Sequence, residues 1–326
     1  MPTHPTAISP SSRQRVILAI NGGSSSIKFA AFDTSGATKR VASGQIERIG
    51  SAAAQLVVDG TAGSTANIIP LGALTFAAAV EYLVSHIAAQ FGPAAIAAIG
   101  HRVVHGGTEL IDHQLITAQV IEKLRQARPF DLTHLPAEIA LIEAFGVAFP
   151  AAGQVACFDT VFHHGMPDVA KRFAIPRKYF DQGIYRYGFH GLSYTYLMQQ
   201  LAALDPTAAS GRVILAHLGS GASMAAVDAG KPIDTTMGFT PAGGLVMGTR
   251  CGDLDPGVLT YVARTEGLDG QQLDEFISHQ CGLLGVSATS ADIQDLIAHR
   301  AADPRANEAV ELFCYHAREF IGSLFA

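Results

Sequence analysis

Arg250 stands in the stretch DTTMGFTPAGGLVMGTRCGDLDP, residues 234–256, between Gly248-Thr249 and Cys251-Gly252, with Asp253 and Asp255 just beyond. Five glycines and two prolines in these 23 residues rule out a regular helix or a long central strand. A loop of this kind brings backbone amides and one guanidinium close to a ligand. Three further runs end in a group that can do chemistry. GHRVVHGG (100–107) presents Arg102, FDTVFHH (158–164) presents Asp159, and YGFHG (187–191) presents His190. Each of the four, MGTR (247–250) included, reads as an apolar strand that ends in a polar cluster. In open α/β sheets ligands collect at the carboxyl ends of strands, so these groups are expected to converge.

Two glycine-rich hairpins supply the other half of the chemistry. VILAINGGSSSIKFAAFD (16–33) is an apolar run, a turn of small residues and a second apolar run. VILAHLGSGASMAAVDAGKPID (213–234) has the same form. Val16-Ile17-Leu18-Ala19 returns as Val213-Ile214-Leu215-Ala216, and Gly22 and Ser26 return as Gly219 and Ser223. Two such units about 200 residues apart point to a duplicated domain. Small residues let backbone N–H groups approach an anion, and serine hydroxyls add donors. Two facing copies would form a cleft holding phosphate or carboxylate groups from both sides. Asn21 and Lys28 flank the first turn, one suited to a metal-bound water or a phosphate oxygen, the other to a point charge.

Between the hairpins helical stretches alternate with strands. Residues 74–91 and 136–149 have helical character, and 94–107 and 153–164 read as strands running into loops, which is α/β organisation. Gly230-Lys231 is followed by Pro232, so it is no Walker A loop. His101/His105 and His163/His164 are close pairs, but there is no HExxH and no zinc-spaced Cys/His set, and core or surface histidines are the expectation.

The chain of 326 residues has length enough for two domains. Hydrophobic residues at 48% and charged residues at 15% describe a well-buried protein. A net charge of −6 argues against nucleic acid or an anionic membrane as partner, so an anionic small substrate needs local arginines. Cys157, Cys251, Cys281 and Cys314 form no CxxC pair and fit reduced thiols in a cytoplasmic protein. No run reaches the length of a membrane helix, and the polar, proline-rich residues 1–14 read as a disordered leader.

In this order, INGGSSSIKF, GHRVVHGG, FDTVFH, YGFHG, HLGSGAS, DTTMGFTP and MGTRCGDLDP resemble the acetate kinase family, from about residue 15 to the end. The resemblance implies α/β, duplicated actin-like (ribonuclease H-like) domains, at 15–159 and 160–326, with an interdomain active-site cleft. It implies ATP and acetate as partners, ADP and acetyl phosphate as products, Mg²⁺ (or Mn²⁺) as the metal, and a homodimer. Carried over residue by residue, Asn21 is the metal-associated asparagine, Lys28 a nucleotide-side lysine and Arg102 the acetate-binding arginine. Asp159, His190 and Arg250 match active-site positions, the last two stabilising the transition state. Val104, Phe189 and Pro241 line the acetate-methyl pocket. His217, Leu218, Gly219, Ser220 and Gly221 match the phosphate-contacting hairpin, and Asp292 lies on the nucleotide side. The chemistry suits these residue types: acetate is already ionised at neutral pH, so no general base is needed. What is needed is charge neutralisation and alignment for direct in-line transfer.

Several positions depart from the family pattern. Ser220 replaces an asparagine, Tyr194 a histidine, and Gln294 an arginine near the nucleotide. Thr133, Leu135 and Glu138 replace Leu, Asn and Asn. The chain stops at FIGSLFA, on what reads as a helix, ahead of the glycine-rich adenosine loop, a magnesium-placing glutamate and a final helix of the family. The expectation is therefore a truncated acetate kinase. The alternatives are a propionate or butyrate kinase of the same family, or a non-catalytic remnant that binds anions or a partner.

Overall fold

The computed structural model describes residues 15–23, 25–60 and 65–326, so the leader expected at 1–14 lies outside the described residues. The chain divides into two compact units, Met1–Phe158 and Asp159–Ala326.

In the first unit, strands β1 (Val16–Gly22), β2 (Ile27–Asp33), β3 (Lys39–Glu47), β4 (Gln55–Val58) and β5 (Asn67–Pro70) precede helix α1 (Phe76–Phe91). Then follow β6 (Ile96–Val103), β7 (Gln114–Leu115), helices α2 (Ala118–Ala127) and α3 (Leu135–Ala148), and β8 (Gly153–Phe158). Among the described residues these strands form one sheet in the order β5-β4-β3-β2-β1-β6-β8-β7. The parallel contacts are β1 with β6 and β6 with β8. Val16, Leu18 and Ile20 of β1 are buried while Ile17 and Ala19 face out, the period-two pattern of a strand with one covered face. The cover comes from α1, whose Ala79, Val80, Leu83, Ile87 and Phe91 recur every three or four residues, and from Leu141, Phe145 and Phe149 in or next to α3. Each fully buried Leu or Ile contributes about 1.5–3 kcal/mol. Thr75 caps α1 by accepting the Ala78 N–H.

The second unit contains α4 (Asp168–Lys171), α5 (Arg177–Asp181), α6 (Gly191–Leu204), α7 (Pro206–Ala209), then β9 (Arg212–Leu218), β10 (Ala222–Asp228) and β11 (Lys231–Thr235). Helices α8 (Pro256–Glu266), α9 (Gly270–Glu275), α10 (Gly282–Ser287), α11 (Ile293–His299) and α12 (Pro304–Phe325) complete it. Strands β9 to β11 form an antiparallel sheet in the order β11-β10-β9, the same meander as β1 to β3. The internal repeat is thus a repeat of structure. Ala229 and Gly230 both have positive φ, at 48° and 78°, in the tight turn from β10 to β11, so Lys231 and Pro232 enter a strand and no phosphate-binding helix.

Two of the four expected strand ends are not strand ends. Arg102 is the last residue but one of β6 and Asp159 directly follows β8, but YGFHG and MGTR lie in loops. Tyr187, Phe189, Val246 and Met247 are buried all the same. Their backbone finds partners outside any sheet ladder: the Tyr187 and Gly188 N–H groups donate to Gly238 O, and the Gly248 N–H donates to Ser220 O.

Candidate active site

In the first unit the carboxyl ends of parallel β1, β6 and β8 lie along one edge, and the sequence candidates sit there. Asn21 pairs across the hairpin with Lys28, which is exposed. The turn between them closes through the Gly23 N–H donating to Ser26 O at 2.8 Å. Arg102, at the end of β6, donates from Nη1 to Asn21 Oδ1 at 3.0 Å. The next backbone amide but one is held as well: the Val104 N–H donates to both carboxylate oxygens of Glu138, at 3.1 and 3.2 Å. Glu138 is buried on α3. Its carboxylate therefore anchors the chain leaving β6, and local spacing gave no sign of this contact across 34 residues. Val104 is buried.

The histidines of this unit are structural. His101 Nε2 lies 2.7 Å from Gln154 Oε1, and His105 Nδ1 accepts the Gly107 N–H at 2.8 Å. Burial pushes both down to about 4, so they are neutral at physiological pH.

In the second unit Asp159 is buried, and its carbonyl accepts the Gly191 N–H at 2.8 Å, which ties the start of α6 to the first residue of this unit. A Cβ on Gly191 would stand 2.2 Å from that carbonyl oxygen, so the approach requires glycine. His190, immediately before α6, takes the left-handed conformation with φ 59°. His163 fixes the preceding residue: its Nε2 donates to Phe189 O at 2.9 Å, which leaves Nδ1 without a partner among the described residues. Burial pushes His163 down to about 4. Phe189 is fully buried.

His190, His217 and Arg250 gather at the turn between β9 and β10. The His190 and His217 rings stack with centroids 4.1 Å apart. His190 Nδ1 lies 2.8 Å from Ser223 Oγ, and His217 Nδ1 lies 3.0 Å from Ser193 Oγ. Gly221 lies under both reactive heads: a Cβ there would be 3.3 Å from His190 Nε2 and 3.4 Å from Arg250 Nη1. The turn carries Leu218, Gly219 and Ser220, closed by the Gly219 N–H donating to Gly221 O at 3.1 Å. Arg250 Nη1 also donates to Pro241 O at 3.2 Å, so Pro241 holds the guanidinium through its carbonyl.

The loop of Arg250 is braced by α10. The Leu283 N–H donates to Met247 O at 2.8 Å, Leu284 to Gly248 O at 2.9 Å, and Cys281 to Thr249 O at 3.0 Å. Loop carbonyls thus satisfy amides that the first turn of a helix leaves unpaired. Asp292 caps α11 by accepting the Gln294 N–H at 2.7 Å. Among the described residues no group of three or more His, Cys, Asp or Glu side chains is placed to hold a metal ion.

Of the sequence candidates, the structure joins Asn21, Lys28 and Arg102 in one unit. In the other it joins His190, the turn from His217 to Gly221, and Arg250. Glu138, Ser193, Ser223 and Tyr194 support them and were not named as site residues. Ser223 does carry a signal, because it is the repeat partner of Ser26.

A model of the acetokinase family matches residues 16–326. The chain is 42% identical over 317 residues to an acetate kinase of Rhodopseudomonas palustris, covering 95% of this chain and 79% of that protein. It is 40% identical over 316 residues to an acetate kinase of Geobacillus, with the same coverage. Among solved structures, it is similar to a propionate kinase of Francisella tularensis, with a TM-score of 0.88, 34% identity and coverage of 95% of this chain and 80% of that one. It is also similar to the acetate kinase of Porphyromonas gingivalis, with a TM-score of 0.83, 33% identity and coverage of 95% and 79%.

Proposed function

From the premise that this chain belongs to the acetokinase family and has its duplicated actin-like fold, we propose how an ATP-dependent acetate kinase is built from these residues. A carboxylate oxygen of acetate attacks the γ-phosphorus of ATP, the bond to the β,γ-bridging oxygen breaks, and ADP and acetyl phosphate leave. No proton moves, because acetate is already ionised at neutral pH. Catalysis then rests on alignment and on neutralising charge spread over the in-flight phosphoryl oxygens.

The observation that carries this reading is the meeting of His190 Nε2 and Arg250 Nη1 over Gly221. Two such groups over a glycine, which has no side chain to fill the space, leave room for an anion and present it with hydrogen-bond partners. In this reading His190 and Arg250 hold the transferred phosphoryl group, and His217 to Gly221 contact the nucleotide phosphates. Arg102 takes the acetate carboxylate, while Val104, Phe189 and Pro241 limit the space for its methyl group. Lys28 and Asp292 serve the nucleotide, and Asp159 places α6 and accepts hydrogen bonds at the site.

Magnesium (or Mn²⁺) suits a site with few protein ligands, since it keeps waters and binds mainly through phosphates. Asn21 Oδ1 is a hard oxygen donor with one lone pair engaged by Arg102, which supports contact with a metal-bound water. When bound, the ion would neutralise charge on the phosphates. Among the described residues no helix is long and apolar enough to cross a membrane. The family resemblance supports a cytoplasmic homodimer, which light scattering would test; a monomer at micromolar concentration would overturn it.

The direct test is acetate-dependent formation of acetyl phosphate from ATP, trapped with hydroxylamine. The expected result is hydroxamate that requires ATP, acetate and Mg²⁺ together. ATP hydrolysis with no hydroxamate would overturn the reading. Propionate is the second candidate substrate, favoured by the similarity to a propionate kinase.

A further inference from the structure

His190 lies at one end of a short buried chain of hydroxyl groups. Its Nδ1 is 2.8 Å from Ser223 Oγ, and Ser223 Oγ is in turn hydrogen-bonded to the Tyr194 hydroxyl. Ser223 and Tyr194 are both fully buried. Burial keeps the Tyr194 phenol protonated by pushing it well above the usual tyrosine range.

The protons in this chain can be counted. The Tyr194 hydroxyl is hydrogen-bonded to Ser223 Oγ, and Ser223 Oγ to Tyr194 and His190 Nδ1, so only one direction along the chain gives both buried hydroxyl protons an acceptor. The phenolic proton is therefore directed at Ser223 Oγ. Ser223 receives that proton, so its own is directed at His190 Nδ1. Nδ1 is then an acceptor, and in a neutral imidazole the proton sits on Nε2, the atom that lies over Gly221 beside Arg250.

We propose that Tyr194 and Ser223 are positioning residues that hold His190 as the Nε2–H tautomer, so that a neutral imidazole meets the phosphoryl oxygens as a hydrogen-bond donor. The functional half of this rests on the reading of His190 as a phosphoryl contact; the tautomer half rests on the hydrogen bonds alone. Ser223 lies opposite His217 in the β9–β10 register, and Tyr194 is four residues beyond His190 on the first turn of α6. Three elements thus meet at one imidazole.

The test uses the full chain labelled with ¹⁵N-histidine, with His190→Gln assigning the His190 signals. The expected spectrum has a pyridine-like Nδ1 and a pyrrole-like Nε2. S223A should abolish this fixed tautomer and lower kcat about ten- to hundredfold, the scale seen for outer-shell partners, with KM for acetate within about twofold. Y194F keeps the ring but removes the donor, so it should give mixed tautomers and a loss of about three- to tenfold in kcat. If S223A fails to fold, the wild-type spectrum and Y194F still decide. A pyrrole-like Nδ1 in the wild type would overturn the proposal, as would a wild-type tautomer and kcat in both variants. Full turnover by His190→Gln would instead overturn the phosphoryl role, and is distinguishable because the tautomer is read without catalysis.

Discussion

Arg250 and Arg102 are placed differently, and that sets what their loss should do. Arg250 hangs from a loop and is held by Pro241 O, whereas Arg102 ends a strand and reaches Asn21 Oδ1. Neither guanidinium lies in the apolar core. Arg250→Ala and Arg102→Ala should each lower kcat/KM about 10²–10³-fold, as expected for one charged transition-state contact. Melting temperatures should stay within a few degrees. Near-normal hydroxamate formation by either variant would remove that arginine from the site. Substrate size is also decided by single residues. With Val104 and Phe189 buried and Pro241 half-buried, acetate should be preferred over butyrate. Each methylene changes discrimination by about 1–3 kcal/mol, so propionate should still react. A higher kcat/KM for butyrate than for acetate would show that these residues do not bound the substrate.

At the scale of elements, close backbone approaches hold the loops that carry His190 and Arg250. Gly282 opens α10 with φ 63°, and a Cβ there would be 2.2 Å from Met247 O and 2.7 Å from Arg250 O. Gly191 opens α6 with comparable crowding against Asp159 O. In both cases the obstacle is backbone, which cannot turn aside as a side-chain tip can. G282A and G191A should each destabilise by about 1–3 kcal/mol and lower kcat by moving Arg250 or His190. Gly322 is the control. It lies in α12 with nothing within 4 Å of its Cβ position, so G322A should be neutral or stabilise by up to about 1 kcal/mol through helix propensity. Urea midpoints followed by far-UV circular dichroism would separate these cases. A G282A protein as stable and active as wild type would show that the α10 contact does not set the Arg250 loop.

For the whole molecule, buried histidines link stability to pH. His101 and His105 in the first unit and His163 in the second are held near 4, against an ordinary value of 6.5, because burial penalises the charged ring. Between pH 6.5 and 4 the unfolded chain therefore binds more protons than the folded one, so stability rises with pH across that window. The contribution is complete above about pH 6.5 and is lost as pH falls, by up to about 3 kcal/mol for each histidine at the lower end. Burial raises the Asp131 carboxyl, but the hydrogen bonds it accepts from His134 and the nearby imidazoles outweigh that and leave it lowered, so it adds its own loss only below the ordinary carboxylate value of 3.8. Urea midpoints should hold steady from pH 8 to about 7 and then decline towards pH 5. A midpoint that stayed flat or rose on acidification would mean that these rings are already charged in the fold.

The paired hairpins, the α1 and α3 helices and the loop around Arg250 were legible in the sequence, because each rests on a local signal. Alternation marks a half-covered strand, glycine and proline mark a chain that bends, and a repeated motif marks a repeated fold. Strands β3 to β5 had no such signal strong enough to read, and YGFHG and MGTR look like strand ends because their apolar residues are buried by loop packing. Only the tertiary structure decided that Asn21 accepts from Arg102 across 81 residues, that Glu138 anchors Val104, and that Tyr194 and Ser223 stand behind His190. Residue type alone carries charge and hydrogen-bonding capacity. Which donor meets which acceptor depends on strands and helices far apart in the chain packing to within about 3 Å, and no local spacing encodes that meeting.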